Sequence, residues 1–98
     1  MNLFNNQIVD ISALGGLTNL EALGIFNNQI VDISALGGLT NLVTIAISDN
    51  QITDIYPLVQ NQGINTGDYV ELINNPLSET SINTYIPQLE ARGVHVYY

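Results

Sequence analysis

The residues able to do chemistry are few and far apart. One histidine, His95, follows the carboxylate of Glu71, with Ser48 further upstream, and the chain has no cysteine. A His–carboxylate pair on adjacent strands could begin a nucleophilic constellation, but a hydroxyl must lie within reach of the imidazole to complete it. The spacing predicts Glu71 beside His95 and puts Ser48 one column over and a coil further away, too far to serve. His95 and Glu71 are expected to form a solvated pair. They also fall short of the three or four ligands zinc takes, and thiolate sites are impossible. Gly15-Gly16 and Gly37-Gly38 do not sit between a strand and a helix as phosphate loops do. No catalytic residue, metal or cofactor is expected, and the chain is read as non-enzymatic.

Two columns of polar residues recur with the chain's own period. Asp10, Asp32 and Asp54 stand twenty-two residues apart. Stacked at the spacing of neighbouring strands, about 5 Å, such carboxylates could hold a cation, although calcium asks for six to eight oxygens. The other reading is that each accepts hydrogen bonds from the backbone amides of the turn that follows. Asn6, Asn28, Asn50 and Asn75 each fall three residues after the last inward residue of a strand, where the chain leaves the sheet. A side-chain amide there can both donate to and accept from backbone groups that the turn leaves unpaired. These four are expected to form a buried structural ladder.

The elements that position these columns are repeats. Phe4 to Leu20 returns letter for letter as Phe26 to Leu42, and a degenerate third copy runs from Asp49 to Leu58. A period in this range marks units that cannot bury an apolar face alone and must stack. In Leu23-x-Ile25 the alternation turns two side chains inward and sends Ala22, Gly24 and Phe26 outward. Stacked strands predict a parallel sheet whose inner face collects Met1, Leu3, Leu23, Ile25, Ile45, Ile47, Val70, Leu72, Val94 and Val96. Ile30, Ile33, Leu36, Leu39 and Leu42, three residues apart, suit tight turns and 3₁₀ pieces that close each coil.

The spacing Leu17-x-x-Leu20-x-x-Leu23-x-Ile25-x-x-Asn28-x-Ile30 resembles the leucine-rich repeat, in the 22-residue class of internalin-type bacterial surface proteins and of eukaryotic phosphatase regulatory subunits. The resemblance implies an α/β solenoid with short parallel strands on the concave face, turns on the convex side, and a C-terminal helix and strand as cap. It is specific for fold and says little about function, because one scaffold serves many partners. Residues 1–98 are expected to form one domain, with 22-residue repeats over 1–58 and an irregular last repeat plus cap over 59–98. Ser78 is the expected N-cap of a helix whose apolar face is Ile82, Tyr85, Ile86 and Leu89, broken or kinked at Pro87.

Nine acids against Arg92 give a net charge of −8. That charge repels phosphate backbones and supplies no Lys/Arg cluster, which argues against nucleic acid. No apolar run reaches the length of a membrane span. Met1-Asn2-Leu3-Phe4 aligns with Leu23-Gly24-Ile25-Phe26, so the chain is expected to be the C-terminal part of a longer array. The resemblance then implies an extracellular or cell-surface location, with the signal upstream. Self-association through the uncapped N-terminal edge is also expected.

Function is expected on the concave face, where Phe4, Phe26, Tyr69, Glu71, Ile73, His95 and Tyr97 point outward. Exposed apolar groups rimmed by polar ones mark interaction sites, and aromatic residues are frequent anchors. The reading is a protein-binding module of unnamed partner. Two alternatives stand beside it: a structural end-piece of a longer surface scaffold, and an intracellular regulatory subunit of an enzyme.

Overall fold

Among the described residues, four three-residue strands carry the sheet: β1 (Ala22–Gly24), β2 (Thr44–Ala46), β3 (Tyr69–Glu71) and β4 (His95–Tyr97). They come from a computed structural model of the chain that describes residues 1–3 and 7–98, so Phe4 and Asn6 lie outside the described residues. The strands pair in parallel in the order β1-β2-β3-β4. Leu23, Ile45, Val70 and Val96 are in register, and a bridge from Asn2 to Gly24 adds one rung before β1. Alternation does what it must. Leu23, Ile25, Ile45, Ile47, Val70 and Leu72 are buried, and Ala22, Thr44, Tyr69 and Glu71 are exposed.

Each coil closes on the convex side through a short helical turn. The two identical repeats use 3₁₀ turns at Ser12–Gly16 and Ser34–Gly38. In the third coil Pro57-Leu58-Val59-Gln60 replaces Ala-Leu-Gly-Gly, and the segment becomes a short α-helix, α1 (Tyr56–Gln60), with Pro57 in its first turn. Proline costs nothing there, because its missing N–H has no partner inside the helix. Ile30, Ile33, Leu36, Leu39 and Leu42 of one coil and Ile52, Ile55, Leu58 and Ile64 of the next fill a single buried cluster with the strand residues. Fully burying a side chain of this size contributes about 1.5–3 kcal/mol. Met1, expected inside, is exposed.

The asparagines hold successive coils in step. Asn50 Nδ2 donates to the carbonyls of Ile25, Ile47 and Ser48, and its Oδ1 accepts from Ile30 N–H. Asn28 repeats this toward Leu3, Ile25, Phe26 and Ile8, and Asn75 toward Ile47, Leu72 and Ile52. The residue before each, Asn27, Asp49 or Asn74, has φ of 62°, 58° or 61°. That left-handed conformation disfavours most side chains but suits Asn and Asp.

The last repeat departs from the pattern in three places. Asn61, within a stretch that reads as a polar excursion, is fully buried; its Nδ2 donates to Leu36 and Leu39 carbonyls and its Oδ1 accepts from Gly63 N–H. Gly63 is required, since a Cβ there would collide with the Thr40 carbonyl. The C-terminal helix starts as expected, with Ser78 Oγ accepting from Ser81 N–H. It then widens into a π turn at Ser81–Tyr85 before α2 (Ile86–Ala91). Pro87 explains the widening, because its ring would clash with the carbonyl four residues back and it has no N–H to give. The wider turn rotates the inner face by one residue. Ser81 is buried, donating to Thr53 O and accepting from Ile55 N–H, while Ile82, expected inside, is 39 % exposed.

The register of β4 is the third departure. Val96 pairs with Val70, two residues from the alignment that matched Val94 to Val70. Gly93 has φ of 89°, and Gly93 and Val94 donate back to Glu90 and Leu89 carbonyls, so both residues finish the helix and do not begin the strand. Val94 is buried there.

Candidate functional site

The register decides which outward residues meet. The first outward column is Ala22, Thr44, Tyr69, His95 and the second Asn2, Gly24, Ala46, Glu71, Tyr97. His95 therefore lies beside Tyr69 and not beside Glu71, and the expected His–carboxylate pair in register is replaced by a ring stack. The His95 and Tyr69 centroids are 5.1 Å apart at 27°, and Tyr97 lies parallel to Tyr69 at 6.1 Å and 5°. Such offset stacking is the arrangement aromatic quadrupoles favour. It fixes three rings while leaving Tyr69 and Tyr97 46 % and 47 % exposed.

Around these rings stand Glu71, in register with Tyr97, and Ile73, exposed two residues beyond Glu71. Phe26 is exposed on the first full coil, across a floor of small residues: Ala22, Gly24, Thr44 and Ala46. Tyr69, Glu71, His95 and Tyr97 thus form one cluster on β3 and β4. Phe26 belongs to the opposite end of the sheet, and Phe4 lies outside the described residues.

Ser48 is buried, and its Oγ accepts from Ile73 N–H, which links two successive coils. On the convex side, Asp10, Asp32 and Asp54 each accept through Oδ1 from the amide two residues on: Ser12, Ser34 and Tyr56. The hydrogen bonds from Ser12 and Ser34 hold the carboxyls of Asp10 and Asp32 below their ordinary pKa. Asp32 and Asp54 border an open groove of about 340 Å³ between coils, with Tyr56 and Pro57. Among the described residues no three His, Cys, Asp or Glu side chains converge as metal ligands. Arg92 lies under the cap, with its guanidinium donating to Val59, Asn61 and Ile64 carbonyls at the end of α1.

The fold and its periodicity have known counterparts. The family model for leucine-rich repeats in two copies matches residues 1–37 and 18–60, more than half of the chain. The chain belongs to the leucine-rich repeat family. It superposes on internalin C2 of Listeria monocytogenes with 35 % identity and a TM-score of 0.72, covering 99 % of this chain and 38 % of that one. Internalin F of the same organism gives 28 % identity and a TM-score of 0.72 over 95 % of this chain and 27 % of that one. The chain thus spans well under half of either internalin. No curated protein matches it. This leucine-rich repeat chain is internalin-like in its parallel ribbon, 3₁₀ turns and coil spacing. Among its described residues, no helix is long and apolar enough to cross a membrane.

Proposed function

We propose that this leucine-rich repeat chain is a non-catalytic protein-binding module whose partner lies on the concave face, over Tyr69, Glu71, Ile73, His95 and Tyr97. The observation that carries the reading is the exposed stack of Tyr69 with His95 and Tyr97. Large side chains already fixed by one another lose little entropy on binding, and aromatic residues of this kind anchor interfaces. Phe26 belongs to the same proposed face at its far end. The likeness to internalins supports an extracellular or cell-surface setting.

The test is affinity capture with the immobilised chain, followed by titration of the captured protein. Replacing Tyr69, Ile73 and Tyr97 together by Ala should abolish capture with the melting midpoint little changed, since all three are exposed. Undiminished capture by that variant would refute the reading and favour the alternative, an end-piece of a longer surface scaffold.

A second contact, between copies of this chain, is proposed at the surface that carries Met1 and Leu17. Met1 and Leu17 stand exposed beside a groove of about 420 Å³ lined also by Gly16, Thr18 and Leu20. An exposed apolar surface of this kind favours self-association. Light scattering across micromolar to millimolar concentrations should show the mass rising, and a constant monomer mass would refute it.

A further inference from the structure

We propose that the cluster of Tyr69, Glu71, His95 and Tyr97 takes an extended peptide segment bearing arginine, with the guanidinium against the tyrosine rings and its charge beside Glu71. The inference rests on the concave face being the binding face and adds the chemistry of what binds there. Three observations carry it.

The first is charge. The chain carries nine acids and one basic side chain besides its histidine, and that guanidinium is committed to the carbonyls of Val59, Asn61 and Ile64. No lysine or arginine of this chain is left to neutralise the exposed Glu71, so complementarity asks for a cation from the partner. The second is geometry. Tyr69 and Tyr97 are parallel, half exposed and in contact on one diagonal of a two-by-two set, with Glu71 in register beside Tyr97. A planar guanidinium can lie on a tyrosine face and present its N–H fork to a neighbouring carboxylate; an ammonium does the first less well and cannot do the second bidentately. The third is shape. Ala22, Gly24, Thr44 and Ala46 leave a low floor beside the raised β3–β4 cluster, with Glu21 exposed just before β1 and Asp49 just after β2. An extended segment has room to cross that floor, and the carboxylates on its two sides favour further positive charge.

The probe is a short acetylated, amidated Gly-Arg-Gly-Arg peptide titrated into the labelled chain and followed by amide chemical shifts. A second peptide carries citrulline in place of arginine, with the same shape and no charge. Saturable shifts at residues 69–73 and 95–97 are expected for the arginine peptide, about fivefold weaker with Glu71→Gln and with Tyr97→Ala, and at least as much weaker for citrulline. Equal binding of the citrulline peptide would overturn the cationic inference while leaving the concave face as the binding surface. Shifts spread over Asp10, Asp32 and Asp54, or none at the cluster, would overturn it as well. Failure of the parent reading is distinguishable, because it shows as undiminished capture by the triple alanine variant.

Discussion

Replacing Asn50 should separate the ladder's shared bonds from its unshared ones. Asn50 is 2 % exposed and bridges two successive coils. Removing its amide leaves Ile25 O with the second donor it already has, Asn28 Nδ2, and Ile47 O with Asn75 Nδ2; Ser48 O keeps Asn27 N–H. Only Ile30 N–H loses the acceptor shown for it. One orphaned buried amide plus the weakened carbonyl bonds gives a loss of about 3 kcal/mol for Asn50→Ala. At about 4 °C per kcal/mol for a chain of this size, the melting midpoint should fall by about 12 °C. Asn50→Asp should be worse at neutral pH, because a buried carboxylate would face the Ile25 and Ile47 carbonyls. Its folded pKa would then lie above the unfolded one, so the folded state binds the proton more tightly, and the deficit should shrink as pH falls through the folded value. Urea unfolding followed by circular dichroism at several pH values measures both. An Asn50→Ala variant within about 0.5 kcal/mol of the parent, or an Asn50→Asp variant with no pH dependence of its own, would refute the reasoning.

Other perturbations test other parts of the scaffold. Gly63→Ala should cost about 3 kcal/mol or more, because its Cβ meets the Thr40 backbone, whereas Gly16→Ala, with nothing near its Cβ, should be nearly neutral in the same unfolding assay. Arg92→Ala should cost about 1.5–3 kcal/mol by uncovering the Val59 and Ile64 carbonyls, and no loss in urea midpoint would refute its role as the cap's polar anchor. Asp10 and Asp32 have depressed folded pKa values, so their contribution is present above the unfolded value and is lost as pH falls through the folded one, below about pH 4. The double variant Asp10→Asn, Asp32→Asn should therefore show a flatter decline in urea midpoint between neutral and acid pH; an identical decline would contradict the capping role.

The exact repeat made the two 3₁₀ turns legible, because a copied sequence meets a copied environment, and the apolar alternation with its twenty-two-residue period did the same for β1, β2, Asn28 and Asn50. Legibility ended where local chemistry overrode the spacing. Val94 and Val96 alternate like a strand pair, yet Gly93 at positive φ and the return bonds to Glu90 and Leu89 assign Val94 to the helix end. The two-residue shift changed the candidate site, moving His95 from Glu71 to Tyr69. Ile82 fitted an ideal helical face, but Pro87 forced a wider turn and brought Ser81 inward. The Asn61-x-Gly63 turn was a usable signal that the polarity of the surrounding stretch concealed. The ring stack itself depends on long-range register, which no local pattern specifies.

The most direct measurement is hydrogen exchange on the chain alone and in complex with the captured partner. Added protection confined to the backbone of residues 69–73 and 95–97, with the convex turns at Ser12–Gly16 and Ser34–Gly38 unchanged, is the predicted result. Protection on those convex turns with the strand residues unaffected would contradict the assignment of binding to the Tyr69–Tyr97 face.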